Sequence, residues 1–261
     1  MAVLGEVAMG DSQTLRLHCF AHAGAGVSSF HQWDKAAGGA VRISARPLPG
    51  RDKRRREPRL TGREELLADL GPLFERIAEE PSQPYMLYGH SLGAVVALTV
   101  TQELRRTGLP MPALLAVGAC PPPHAPAGLM DAAELPDEEL LRVLDGFGAL
   151  PPGVRQGDVW FRSVFPVLRA DLRLVRNLRA AATGPAAPGP VPVPLLAIAG
   201  REDPLADAEA VAGWERCTTG RFVRRTVPGG HFFVRGRELP RMLGRAARIV
   251  LRGHRDQTGQ G

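Results

Sequence analysis

Six short strand-like runs, most of them apolar and several separated by stretches of helical periodicity, decide what this chain of 261 residues can fold into. The runs are TLRLHCF (14–20), AVRISAR (40–46), PYMLY (84–88), PALLAVGA (112–119), PLLAIAG (194–200) and RFVRRTV (221–227). Between the second and third, TGREELLADLGPLFERIAEE (61–80) places Leu66, Leu67, Leu70, Leu73, Phe74 and Ile77 at helical spacing. Thr61 and Glu64 form a capping-box pattern at its start. A second helix follows Ser91 and closes with Arg105 and Arg106 ahead of Gly108. A third reads ELPRMLGRAARIVLRG (238–253). Strands that alternate with helices pair in parallel and need cover on both faces. The fold class is therefore α/β, with a mostly parallel central sheet and helices on each side.

The alternation lapses after residue 120. PPPHAPAG is a loop, PDEELLRVLDGF (136–147) a short amphipathic helix, and 157–181 a longer helical region broken near Pro166. A Pro/Gly linker, TGPAAPGPVPVP, leads back to the next strand. Such an insertion leaves the C-terminal edge of a strand, where open α/β sheets bind ligands, and so reads as a helical lid. The expected organisation is a core of 14–120 and 191–252, a lid of 121–190 and a disordered tail of 253–261.

Composition narrows the function classes. Net charge is +6, and the basic residues are scattered Arg apart from one cluster, RDKRRRE at 51–57. A solvated loop is the plain reading of that cluster. No helix-turn-helix, zinc-finger or RNP-type pattern accompanies it, so nucleic acid is not the expected partner. Cys19, Cys120 and Cys217 stand apart without a CxxC, against a disulfide framework or zinc site and in keeping with a reducing cytoplasm. The start lacks a basic and then apolar signal segment, and no apolar run is long enough to span a bilayer. With no heptad or obvious interface stretch, a monomer is expected.

The chemistry sits at Gly89-His90-Ser91-Leu92-Gly93. A surface turn uses glycine and serine without chemical purpose, so context decides. Here the five residues lie between a strand and a helix, where a nucleophile elbow must sit. Small residues two before and two after the serine let the backbone bend sharply. A serine hydroxyl needs a base, and the base needs a carboxylate to orient it. In this arrangement the chain order is serine, acid, histidine. Of the histidines after Ser91, His124 lies in a proline loop and His254 in the tail, which leaves His231 in VPGGHFF. Asp203 directly follows the strand LLAIAG, with Glu202 and Asp207 as competitors. Two backbone amides must hold an oxyanion, and Leu92 and Ala23, in CFAHAGAG, are placed for it. His22 reads as a buttress of that loop. A dinucleotide loop at Gly24-x-Gly26 is disfavoured, because Ser29 stands where the third glycine belongs and the second strand ends in Arg46.

Taken together, HAGAG, LPGRDKRRREP, GHSLGA, ELPDEELL…PVLRADLRL, GREDPL and PGGHFF resemble the type II thioesterases, the discrete editing enzymes of polyketide and nonribosomal peptide assembly lines. The resemblance runs over roughly residues 14 to 250. It implies an α/β-hydrolase fold and hydrolysis of acyl thioesters from the phosphopantetheine arm of acyl or peptidyl carrier proteins. It implies Ser91, Asp203 and His231 as the catalytic residues, Ala23 and Leu92 as oxyanion amides, and no metal or redox cofactor. Two departures are HAGAG, where relatives carry a second glycine directly after the first, and Leu92, where methionine is frequent. In the lid, Trp160, Phe161, Phe165 and Leu168 are candidates to line an acyl pocket. Arg51, Arg54, Arg55 and Arg56 are candidates to steer an acidic carrier protein. The competing readings are a carboxylesterase or acyltransferase on the same fold, and a catalytically silent carrier-protein-binding module.

Overall fold

A computed structural model describes residues 14–258, except 127, 149, 151 and 152. In chain order the elements are β1 (Leu15–Phe20), α1 (Trp33–Ala37), β2 (Val41–Ala45), α2 (Arg63–Asp69), α3 (Gly71–Glu79), β3 (Tyr85–His90), α4 (Leu92–Thr107), β4 (Leu114–Gly118), α5 (Asp137–Gly146), α6 (Val159–Ser163), α7 (Phe165–Thr183), β5 (Leu195–Gly200), α8 (Ala208–Ala212), β6 (Phe222–Val227) and α9 (Glu238–Thr258). The six strands form one sheet in the order β2-β1-β3-β4-β5-β6. Every pairing is parallel. The chain leaves β1 for β2 on one side and then crosses to β3 on the other. Strand order thus reverses between β1 and β3, and the loops leaving their C-terminal ends part there to open a crevice. Phe20 at the end of β1 registers with Gly89 of β3, which brings the HAGAG loop beside the serine turn.

Two apolar layers hold the sheet. Successive side chains alternate, so Met86 and Tyr88 enter one layer with Leu15, Leu17 and Ile198, while Leu87 enters the other with Leu115, Val117 and Ala197. The first layer is closed by α1 and α9 through Trp33, Leu239 and Leu243. The second is closed by α2, α3 and α4 through Leu66, Leu73 and Val96. Full burial of each such side chain contributes about 1.5–3 kcal/mol. Helix α7 serves two cores. Its C-terminal half gives Leu174, Val175 and Leu178 to the sheet layer, and its N-terminal half gives Phe165, Leu168 and Leu172 to a separate lid cluster with Leu140 and Leu144 of α5.

Several local expectations change. The helix expected over 61–80 is two helices, α2 and α3. Pro72 lacks an amide hydrogen and crowds the preceding turn, so one helix ends and the next begins with proline in its first turn. The cap is one residue later than its pattern: Glu65, not Glu64, accepts from the Thr61 and Gly62 amides at 3.0 and 3.1 Å. The break expected near Pro166 falls at Val164, between α6 and α7. Helices α1 and α8 gave no sequence signal. At five residues each they are too short to form alone and exist through tertiary contacts. In α1 the Trp33 side chain is buried and its indole N–H donates to the Val234 carbonyl at 3.1 Å.

The tail expected to be disordered from 253 is helical through Thr258, as the continuation of α9; residues 259–261 lie outside the described residues. Leu239, Leu243, Ala247 and Leu251 seat α9 on the sheet. Each further residue then adds a backbone hydrogen bond without a new nucleation cost. Among the described residues no helix is long and apolar enough to cross a membrane.

Candidate active site

Ser91 makes the whole turn from β3 into α4. Its backbone lies at φ 54°, ψ −116°, a setting that costs a non-glycine residue about 1–3 kcal/mol. The neighbours over-determine it. The Ser91 amide donates to the Gly118 carbonyl at 2.8 Å, and the Ser91 carbonyl accepts from Ala94 at 2.9 Å. The flanking glycines are required by close approach. A Cβ at Gly89 would stand 1.8 Å from the Gly93 carbonyl oxygen, and one at Gly93 would stand 2.1 Å from that of Phe20. The serine turn, the first turn of α4 and the end of β1 are therefore packed backbone against backbone.

Three loops converge on Ser91. His231, after β6, places Nε2 at 3.1 Å from Ser91 Oγ. Its Nδ1 lies 3.1 and 3.2 Å from the two carboxylate oxygens of Asp203, after β5. Asp203 is buried, and one of its oxygens also accepts from the Leu205 and Ala206 amides. The competing acids are engaged elsewhere: Glu202 accepts from the Gly229 amide at 2.6 Å, and Asp207 caps α8 by accepting from Ala210 at 2.7 Å. The His231 main chain is held from behind as well. His90 Nε2 donates to its carbonyl at 2.7 Å, and the Tyr88 hydroxyl lies 2.7 Å from His90 Nδ1. Burial, chiefly, drives the His90 pKa well below its ordinary value, which keeps the ring neutral and able to donate at one nitrogen while accepting at the other. The role of the residue between Gly89 and Ser91 is not visible in the GxSxG pattern.

Ala23 and Leu92 both line the cleft above Ser91. Neither amide is taken by a backbone acceptor among the described residues. His22 is buried, with its ring against those of His90 and Phe232. Burial, with His231, Arg235 and Arg51 nearby, pushes its pKa down to about 3, so it is neutral.

The cleft has a volume of about 860 Å³ and is roofed by the lid. Leu168, Leu172 and Val175 form one stripe of α7 facing it, joined by Val164 at its N-cap and by Trp160 of α6. Two of the four expected lid residues, Trp160 and Leu168, thus line the cleft. Phe161 and Phe165 do not: they sit on another face of their helices, stacked on each other with ring centroids 4.6 Å apart inside the lid cluster. Arg169 lies over the Phe165 ring at 5.2 Å.

The basic cluster is also corrected. Arg51 is not a free cation but makes a buried, two-pronged ion pair with Asp171 of α7, at 2.6 and 2.8 Å. Arg54 pairs with both Glu57 and Asp69. Arg55 and Arg56 are exposed. Asp171 carries a signal in the sequence: it stands three residues after Leu168 and four before Val175, a charge on the apolar face of an amphipathic helix. Among the described residues, no group of three or more His, Cys, Asp and Glu side chains is placed to hold a metal ion.

Known proteins resemble the chain over nearly its whole length. Thioesterase PikA5 of Streptomyces venezuelae is 32% identical over 224 residues, 85% of this chain and 76% of that protein. The gramicidin S biosynthesis protein GrsT of Aneurinibacillus migulanus is 27% identical, over 87% and 85%. Among solved structures, RedJ, a thioesterase from the prodiginine biosynthetic pathway of Streptomyces coelicolor, is 35% identical with a TM-score of 0.76, over 88% of this chain and 85% of that one. The fold is that of the α/β-hydrolases. Matching the thioesterase domain family from residue 15 to residue 249, with a serine, a histidine and an aspartate meeting at the head of its parallel sheet, the chain belongs to that family.

Proposed function

We propose that this thioesterase hydrolyses acyl thioesters from the phosphopantetheine arms of acyl or peptidyl carrier proteins and so clears aberrant acyl groups from a biosynthetic assembly line. One observation carries the reading: Ser91, His231 and Asp203 are linked in a hydrogen-bonding line at the floor of a cleft whose roof is apolar. Relatives named for gramicidin S, prodiginine and borrelidin biosynthesis support the assembly-line setting.

In this reading Ser91 Oγ attacks the thioester carbonyl while His231 Nε2 takes its proton. Asp203 holds the imidazole in the tautomer that accepts there and stabilises the imidazolium that forms. The Ala23 and Leu92 amides, at the positive end of α4, hold the tetrahedral oxyanion. The C–S bond breaks, and His231 returns the proton to the departing thiol. A water deprotonated by His231 then attacks the acyl-serine, and the freed acid leaves Ser91 regenerated. The chemistry calls on no metal or redox cofactor. Apolar acyl groups rest against the Leu168–Leu172 stripe, shielded from bulk water. Exposed Arg55 and Arg56 are the remaining basic candidates for meeting an acidic carrier protein.

Intact-mass measurement of an acylated carrier protein tests the reading. Wild type removes the acyl mass and Ser91→Ala leaves it in place. Retention of the acyl group by both, with cleavage of a simple oxygen ester by wild type, replaces this function with that of an esterase.

A further inference from the structure

The loop that bears Ala23 is held from outside. Within it, the Ala25 amide donates to the His22 carbonyl at 3.1 Å and closes a tight turn around Ala23 and Gly24. Gly24 has φ +74°, so the peptides around it are set by a conformation that other residues rarely adopt. Two peptide groups of the turn, Ala23–Gly24 and Ala25–Gly26, are each fixed by a buried charge. Asp171 accepts from the Gly24 amide at 2.7 Å, and Arg51 donates to the Ala25 carbonyl at 3.0 Å. The two charged groups bind each other through both arms, with side-chain exposures of 9% for Arg51 and 2% for Asp171. Farther along, Asp52 accepts from the Val27 amide at 3.0 Å. In that turn the Ala23 amide is left without a backbone acceptor among the described residues, and Ala23 lines the cleft.

We infer that Asp171 and Arg51 are positioning residues for the oxyanion hole: the lid helix α7 and the loop after β2 jointly fix the Ala23 turn, so that its amide meets the developing oxyanion. This rests on the assignment of Ala23 as an oxyanion donor. A buried ion pair is by itself a weak source of stability, because desolvating both charges offsets most of their attraction. What it adds here is direction. A carboxylate can accept from Gly24 and from the guanidinium at once, and the planar guanidinium can grip the carboxylate with one edge while still reaching Ala25. Lysine offers no such fork. One helix of the lid is thereby tied into the catalytic loop.

The test uses the full chain with Asp171→Asn, Asp171→Ala and Arg51→Lys, each assayed on an acyl-pantetheine thioester. Arg54→Gln serves as a control, since it breaks the neighbouring ion pairs with Asp69 and Glu57 without reaching the Ala23 loop. A trifluoromethyl ketone analogue of the substrate, which forms an oxyanion on Ser91, reports the hole directly. Asp171→Ala and Arg51→Lys are expected to lower kcat by about 10- to 100-fold with KM within twofold, and to weaken the ketone by a similar factor. Asp171→Asn keeps one acceptor for Gly24 and is expected to recover part of both losses. Arg54→Gln is expected to shift the melting temperature but not kcat. Unchanged kcat and ketone affinity in the Asn and Lys variants, with only a lower melting temperature, would overturn the inference and leave the pair as a lid anchor. The Asn and Lys variants decide the matter if Asp171→Ala does not fold. The underlying assignment fails separately: an active Ser91→Ala removes the oxyanion reading itself, whereas an inactive Ser91→Ala beside fully active Asp171→Asn and Arg51→Lys removes only the positioning role.

Discussion

Gly93→Ala is the substitution whose effect the structure constrains most tightly. The added Cβ would lie 2.1 Å from the Phe20 carbonyl oxygen and 2.9 Å from that of Ala21. Both are backbone atoms, so no rotamer change relieves the contact. Restoring an ordinary carbon–oxygen separation requires the end of β1 to retreat by about 1 Å from α4. That strand end leads directly into His22 and Ala23, while the first turn of α4 carries Leu92, so the two amides proposed to hold the oxyanion move apart. A misplacement of this size costs about 100-fold in rate. Overpacking of a tight core contact costs a further 1–3 kcal/mol or so of stability, a shift of roughly 2–12 °C in melting temperature at this size. The assay is thiol release from a small acyl thioester, read as kcat/KM, together with a thermal melt. Gly108→Ala is the matched control. Gly108 ends the same helix at φ +68° with nothing within 4 Å of an added Cβ, so alanine there loses about 1 kcal/mol through backbone strain alone. Its kcat/KM is expected to equal that of wild type. If Gly93→Ala stays within threefold of wild type and melts at the same temperature, the backbone-against-backbone account of the glycine is wrong.

Three further outcomes are expected. Asp203→Asn should lower kcat by about 10³- to 10⁴-fold, since an amide cannot hold the His231 tautomer that accepts from Ser91; a loss under tenfold in steady-state kinetics would remove Asp203 from that role. Trp160→Ala should raise KM for long acyl thioesters more than for acetyl, while Phe161→Ala should leave the KM ratio unchanged and lower lid stability by about 3–5 kcal/mol or less; equal chain-length profiles for the two variants would contradict their placement. His18 and His22 are each depressed to a pKa of about 3, mainly by burial, so the unfolded chain binds more protons between about pH 6.5 and pH 3. Their contribution to stability is therefore complete above pH 6.5 and falls as pH drops toward 3, at about 1.4 kcal/mol per pH unit for each histidine. Urea midpoints from pH 7 to pH 4 should show that slope, reduced in His18→Asn, and a flat wild-type profile would speak against neutral burial.

The sheet was legible because its inner strands β1, β3, β4 and β5 are apolar runs bounded by turn residues and buried on both faces, while the edge strands β2 and β6 keep β-branched residues among their arginines. The triad was legible for a related reason. In a wholly parallel sheet the residues that follow each strand arrive at one edge, so the GxSxG pattern, the chain order and the positions after β5 and β6 together pointed to Ser91, Asp203 and His231. What escaped notice has no local cause. Helices α1 and α8 are fixed by contacts far along the chain, as Trp33 with Val234 shows. The arginines of the 51–57 cluster read as one solvated patch, yet the chain meets Asp171 only after a further 120 residues, too far for any local pattern to pair them. Phe161 and Phe165 were hydrophobic in the expected segment but on the wrong face. That distinction depends on where α6 stops at Val164, and a one-residue change in the break rotates every side chain that follows.

The lid cluster of Phe165, Leu168, Leu172, Leu140 and Leu144 stands apart from both layers that hold the sheet. Its separateness bears on how such an enzyme can change over generations. A substitution at Leu168 alters the room for an acyl chain while most of the packing in the two sheet layers is kept, and it reaches the catalytic loop only where Ala23 and Gly24 lie against the cluster. Selection for a new metabolite can therefore act on one small group of side chains, within a limit set by the tie between α7 and the Ala23 turn: the roof is free to be reshaped, but not to be detached.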